Sequence, residues 1–560
     1  MPRPTAVSAP PVTSMAMAAG LSRFAARQAA LPGPYGILTR SAHFRMASLR
    51  SAGGYPGRRR NVPARRRAGP RSRPRVSIVP RDIGTSVTFV AFINGLLLVG
   101  LGALMALNAL VFPATRGVFL EAALPVLTVG GCVCLSTLTP RAGLNRLHSF
   151  LLTGSTWITA AAAGALPLWL WDLSFTDAFF EAMSGITTTG STVMTGLDGT
   201  PRGILMWRAL LQWIGGVGFI VAGIALLPIM RVGGMQLFQT ESSEKGDKEL
   251  ASAARFAAAT IWIYLALTQL CALVYISGGM TAFEAIAHAL TTLSTGGYST
   301  SDSSFGLFES AYLQWAGTLF MLAGALPFAW YIRVLSGRGV RSEQVRALIV
   351  TLALVILGLT AWRVATGGTP VLETLRLVAF NVVSVVTTTG YATTDYTTWG
   401  PFAAVAFLCL TAMGGCTGST SGGGKMMRWI VLMRSVRAQM KRIRAPHGIF
   451  PVRYEGRPFD ADVMSGVMTF FAFYAATVMG LAIALTMYGL DTTTSLSGAL
   501  TAVANVGPGI GATIGPAGNF ASLPDGAKWL LSFGMYAGRL EMLTVYVLLV
   551  PAFWREVAYR

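Results

Sequence analysis

The string Thr387-Thr388-Thr389-Gly390-Tyr391 breaks an apolar stretch, and three related strings do the same elsewhere in the chain. They are Thr187-Thr188-Thr189-Gly190-Ser191, Leu293-Ser294-Thr295-Gly296-Gly297-Tyr298 and Ala504-Asn505-Val506-Gly507-Pro508-Gly509. Each follows a half-length apolar segment and is followed, after a polar loop, by a longer one. Within a bilayer, backbone outside a helix is tolerated only where protein buries it or water fills a cavity. Four breaks placed alike therefore point to four loops around one aqueous path, in a pseudo-fourfold arrangement.

The surrounding composition supplies the bilayer. With 53% apolar and 12% charged residues over 560 positions, and a mean hydropathy of +0.56, the chain reads as a polytopic membrane protein. The formal charge of +21 would suit nucleic acid, but 16 Arg fall in residues 1–81, a span without Lys or acidic residues. The rest of the basic residues cluster in a few inter-helix loops, as orientation in a bilayer requires, so no nucleic acid is expected. Cys132, Cys134, Cys271, Cys409 and Cys416 lie in apolar or Gly-rich segments and read as small buried residues, not a disulfide framework. No nucleophile, metal-ligand or phosphate-loop motif is present, so the expectation is a protein without enzymatic activity or bound cofactor.

The expected fold is all-α: four M1-P-M2 pore-loop repeats (outer helix, half helix and loop, second helix) in pseudo-fourfold arrangement, plus two N-terminal transmembrane helices. Residues 1–80, with runs of Arg at 58–60 and 65–67, form a tail that buries no core. It is a polybasic tail, an organelle transit peptide or an over-extended start. Residues 81–140 hold the two peripheral helices, and the repeats occupy 141–235, 248–340, 342–445 and 446–560. Half helices are read at 175–186, 282–293, 371–386 and 494–504. If the N-terminus is cytoplasmic, ten crossings return the C-terminus there. The inner loops then hold Arg141, Arg146, Arg231, Lys245, Lys248, Arg333, Arg338, Arg341 and the cluster from Arg434 to Arg457, while all pore loops open outward.

A cation that enters such a path must exchange its water for other oxygens. Backbone carbonyls supply these without fixed charge, Thr adds a hydroxyl, and Gly reaches backbone geometries closed to other residues. The preceding half helices point their negative ends toward the path. Asp198, Asp302 and Asp395 lie just beyond three of the loops, either drawing cations to the mouth or serving as solvated loop acids.

Over residues 84–560 the chain resembles the Trk/Ktr/HKT superfamily of potassium transporters, most closely its TrkH branch. The likeness rests on the four loops, on Gly414-Gly415-Cys416-Thr417-Gly418-Ser419-Thr420-Ser421-Gly422-Gly423-Gly424-Lys425, on Gly456-Arg457-Pro458 and on Gly538-Arg539-Leu540-Glu541. It implies a potassium-binding filter at Thr188, Thr189, Gly190, Ser294, Thr295, Gly296, Thr388, Thr389, Gly390, Asn505, Val506 and Gly507. Gly190, Gly296, Gly390 and Gly507 would be its four glycines. A Ser at the first of them accompanies sodium preference in some plant members, so Gly190 favours potassium. Where the family usually carries a Glu after the fourth filter, this chain has Ala512.

The resemblance also makes the Gly414–Lys425 stretch an intramembrane loop that blocks the pore, with Arg539 as a pore-facing arginine. Ser421 and Gly424 depart from the family's more usual Gly and branched apolar residue. Glu541 is free to pair with a basic group such as Lys425. Beyond the chain, the likeness implies a bacterial inner-membrane protein, a homodimer in the lipid bilayer and a cytoplasmic TrkA-type nucleotide-binding regulatory subunit. Two rivals remain: a sodium-selective or sodium-coupled carrier on the same fold, and a membrane sensor without conduction.

Overall fold

The computed structural model describes residues 83–138, 146–225, 249–337, 339–367, 370–458 and 461–559. The tail read over 1–80, and Arg141, Arg231, Lys245, Lys248 and Arg338, lie outside the described residues. Almost everything described is helix. Helices α1 (Ile83–Val111) and α2 (Arg116–Ser136) form a hairpin that glycines bring close. A Cβ on Gly102 would lie 2.7 Å from Leu127, and one on Gly130 would lie 2.8 Å from Leu98.

Four units follow. The first is α3 (Arg146–Trp171), the half helix α4 (Phe175–Ile186) and α5 (Arg202–Ala225). The second is α6 (Glu249–Ser277), α7 (Ala282–Leu293), α8 (Ala311–Ala325) and α9 (Phe328–Leu335). The third is α10 (Glu343–Gly367), α11 (Val371–Val386), α12 (Pro401–Thr411) and α13 (Met426–Arg444). The fourth is α14 (Ala461–Thr486), α15 (Thr492–Ala504), α16 (Asp525–Arg539), α17 (Met542–Leu549) and α18 (Pro551–Tyr559). Among the described residues seven helices are long and apolar enough to cross a membrane, or eight if α8 and α9 count as one bent span.

Three of the four half helices start where a side chain caps them. The Ser174 hydroxyl accepts from the Asp177 N–H at 3.1 Å, Thr281 and Glu284 form a reciprocal capping box, and Asp491 accepts from the Thr494 N–H at 3.0 Å. The fourth therefore begins at Thr492, two residues before the sequence reading placed it.

Two segments that read as single helices are broken. Over 310–334, α8 and α9 meet at 93° across Leu326 and Pro327, because proline lacks the N–H and crowds the preceding turn. Over 527–550, α16 and α17 part at Leu540 and Glu541, and Glu541 takes φ 61°. The described core falls into two main buried clusters. One gathers Trp157, Phe180, Trp207 and Leu531 from the first and fourth units, and the other Tyr264, Phe305, Phe380 and Phe407 from the second and third. The loops contribute to both, Val193 and Met194 to the first and Tyr391 and Val506 to the second.

Candidate ion pathway

Each half helix ends in the same backbone sequence of conformations. Thr188, Thr295, Thr388 and Asn505 take φ of 53°, 51°, 59° and 56°, in the left-handed region. The next N–H reaches back five residues: Thr189 to the Ser184 carbonyl at 2.9 Å, Gly296 to Thr291 at 2.9 Å, Thr389 to Ser384 at 2.8 Å and Val506 to Thr501 at 3.1 Å. After it comes a glycine at positive φ: Gly190 at 88°, Gly297 at 77°, Gly390 at 84° and Gly507 at 109°.

This corrects the register of the second loop. Gly297, not Gly296, matches the other three glycines, and Gly296 stands where Thr189, Thr389 and Val506 stand. Ser294 correspondingly matches Thr187 and Thr387, at the end of its half helix.

The four glycines close a ring. A Cβ on Gly190 would lie 2.2 Å from the Gly296 carbonyl oxygen, one on Gly297 1.9 Å from that of Thr389, one on Gly390 2.0 Å from that of Val506, and one on Gly507 2.8 Å from that of Thr189. Each loop thus presses its glycine on the carbonyl just before the next loop's glycine, and the fourth returns to the first. Any side chain there would force a carbonyl aside and would also strain a left-handed backbone.

Side chains missed in the sequence reading hold the ring from behind. Gln212 donates from Nε2 to the Gly296 carbonyl at 2.7 Å and accepts from the Tyr298 N–H at 3.1 Å. Arg208 and Glu181 form a fully buried ion pair at 2.7 Å, and Glu181 also accepts from the Val193 N–H while Arg208 reaches the Ser299 carbonyl. Together they staple the first loop to the second. Their signal was present, since a charge inside an apolar helix needs a partner, but its identity needed the fold.

Outside the ring lies a vestibule of about 300 Å³. Asp302 lines it, yet its carboxylate accepts from the Gly196 N–H at 2.9 Å and the Leu197 N–H at 3.2 Å, so it braces the loop after the first unit's ring residues. Asp395 caps a short turn through Thr397, while Asp198 is exposed.

Inside the ring, residues Gly414–Lys425 pass from α12 to α13 without a helix. Pro327 frees carbonyls at the end of α8, and this stretch takes them. Cys416 N donates to Ala325 at 3.0 Å and Thr420 N to Gly324 at 3.3 Å, while Phe328 N donates to Gly418 at 2.9 Å. The stretch also touches the loops, with Gly422 N donating to Thr388 Oγ1 at 2.7 Å and Thr420 Oγ1 to the Leu293 carbonyl at 3.0 Å.

Gly414, Gly418 and Gly423 take positive φ; Gly415 packs on Ser421, and Gly424 on Trp429 and the Ala412 carbonyl. Thr417 N donates to Gln344 Oε1, and Ser419 Oγ to the Cys416 carbonyl. Arg539 is buried at the end of α16, donating from Nη1 to the Thr420 carbonyl at 2.9 Å. Lys425 donates to the Ser421 carbonyl instead of pairing with Glu541, whose partner is Arg428 at 2.6 Å. The remaining space among Lys425, Arg428, Arg539 and Glu541 is about 10 Å³, room for about one water.

A ring of four re-entrant loops inside an all-helical bundle defines a polytopic membrane protein of the pore-loop class. Residues 126–556 match the TrkH family model, described as a cation transport protein, and the chain belongs to that family. It is 53% identical to the Trk system potassium uptake protein TrkI of Halomonas elongata over 74% of this chain and 85% of that one. It is 34% identical to the Trk system potassium uptake protein TrkH of Escherichia coli over 84% of this chain and 99% of that one. The crystal structure of the potassium transporter TrkH from Vibrio parahaemolyticus aligns with a TM-score of 0.77 at 31% identity, covering 84% of this chain and 99% of that one.

Proposed function

We propose that this protein takes potassium ions into the cell across the bacterial inner membrane through the ring at residues 188–190, 295–297, 388–390 and 505–507. The cyclic contact of glycine on neighbouring carbonyl carries this reading, because it brings four oxygen-rich loops together in one closed ring. The potassium uptake activity in the names of the relatives supports the choice of ion. An inside-negative potential drives the flow, contributing about 2.3 kcal/mol per charge per 100 mV.

In this reading the Gly414–Lys425 stretch closes the path below the ring and Arg539 holds it there. The protein works as a homodimer with both termini cytoplasmic. The basic end of α13, with Lys441, Arg442 and Arg444, faces a cytoplasmic TrkA-type nucleotide-binding partner. The test is growth of a potassium-uptake-deficient bacterium at low potassium. Expression of this chain restores growth and added sodium leaves the rescue intact. Rescue that requires sodium would favour the sodium-coupled carrier, and no rescue at normal membrane abundance would count against conduction.

A further inference from the structure

Just inside the ring, the four equivalent positions Thr188, Thr295, Thr388 and Asn505 are all buried, but they are not used alike. Thr388 Oγ1 accepts from the Gly422 N–H at 2.7 Å, and Thr295 Oγ1 donates to Thr420 Oγ1 at 3.2 Å. These two positions, from the second and third units, are bonded to the Gly414–Lys425 stretch. Opposite them, Thr188 Oγ1 and Asn505 Oδ1 have no hydrogen-bond partner among the described residues. Buried oxygens left without a donor are costly, and a cation is one group that satisfies such oxygens without a proton.

We propose that a permeating cation and the Gly414–Lys425 stretch compete for this layer of side-chain oxygens, so that ions arriving from outside bias the stretch toward its open position. The inference rests on the reading of the ring as a cation path. With the stretch in place, the Gly422 N–H occupies the Thr388 oxygen and the Thr295 hydroxyl is turned toward Thr420, so a cation meets an incomplete layer. When the stretch withdraws, all four become free for the ion. A ligand that binds one of two states shifts the balance toward it by mass action, and the shift is bounded by its difference in affinity.

Charge acts in the same direction. Arg539 holds the Thr420 carbonyl at 2.9 Å, and its guanidinium lies 4.3 Å from the centre of the Phe219 ring, beneath the loops. A cation in the layer above repels that guanidinium and loosens the contact by which it holds the stretch. The permeant ion is therefore also an effector of the gate. A large organic cation that cannot enter the ring has no such effect.

Cys416 reports the position of the stretch without mutation, since its thiol is buried within it, while Cys271 is buried on α6 and serves as the control for general opening. The full chain in liposomes is alkylated with a water-soluble reagent in potassium or in N-methylglucamine at equal ionic strength. Peptide mass spectrometry then gives the rate at each cysteine, and rubidium uptake is measured on the same vesicles. Potassium is expected to raise the Cys416 rate by about fivefold or more, the lower end of ordinary allosteric coupling, with Cys271 unchanged. Thr420→Val is expected to raise the Cys416 rate already in N-methylglucamine.

Equal Cys416 rates in the two cations, or protection by potassium, with rubidium uptake intact would overturn the competition and leave the transport reading standing. Absence of rubidium uptake from vesicles with correctly inserted protein would instead overturn the transport reading.

Discussion

Arg428 donates from Nη2 to both carboxylate oxygens of Glu541 at 2.6 Å, joining the start of α13 to the break between α16 and α17 inside the membrane region. Both side chains are almost completely buried, and Arg428 also lies 3.8 Å from the Phe470 ring centre. The pair thus ties the two helix breaks of the third and fourth units, and each partner satisfies a charge that lipid would not.

Removing one member leaves the other buried and unpaired, which costs about 3–5 kcal/mol. Glu541→Leu alone and Arg428→Met alone should each lower the thermal midpoint of the purified protein sharply. The double variant should recover most of the loss, because an apolar pair of similar volume needs no solvation. A double variant no more stable than either single would contradict this account of the pair.

The corrected register gives a sharp contrast within one dipeptide. Gly297→Ala places a methyl 1.9 Å from the Thr389 carbonyl oxygen on a backbone at φ 77°, so rubidium uptake should be lost. Gly296→Ala meets the end of the Gln212 side chain at 2.4 Å, a flexible group that can shift at the expense of its bond to the Gly296 carbonyl, and should lower uptake without abolishing it. The reverse order in a vesicle uptake assay would restore the register read from sequence.

Gln212→Leu removes the donor to the Gly296 carbonyl and the acceptor of the Tyr298 N–H. Each unmade buried bond costs about 1–3 kcal/mol, enough to loosen the second loop. Discrimination of potassium over sodium should fall several-fold while abundance in the membrane holds. Unchanged discrimination would assign Gln212 to packing alone.

Arg539→Ala frees the Thr420 carbonyl and removes a positive charge from below the ring. Cation flux per protein should rise. Unchanged flux at normal surface expression would remove Arg539 from the gate.

Much of this arrangement was legible in the residues because local rules decide it. The Thr-Gly strings mark where half helices end, and caps at Ser174 and Thr281 agree with the starts read at 175 and 282, whereas the Asp491 cap escaped the sequence reading, which places the fourth start two residues late. The second loop escaped because Gly296 and Gly297 are adjacent, and only the backbone at Thr295 tells which of them matches Gly190. Pro327 was a visible helix stop, but its meaning depends on Cys416 and Thr420, some ninety residues later, taking the freed carbonyls. The partner of Glu541 was likewise a matter of packing, since Lys425 and Arg428 are both near in sequence to the break they serve. The outer acids show the opposite limit: Asp302 braces backbone N–H groups that belong to the first unit, which spacing alone does not reveal.

On the proposed function, the ring of Gly190, Gly297, Gly390 and Gly507 selects potassium as it passes. The direct measurement is uptake by liposomes holding the full chain at an imposed inside-negative potential of about 100 mV, where the drive is about 2.3 kcal/mol per charge. Rubidium should accumulate, unlabelled potassium should compete with it at equal concentration, and sodium should compete far more weakly. Equal competition by sodium and potassium, or no accumulation by correctly inserted protein, would contradict the account.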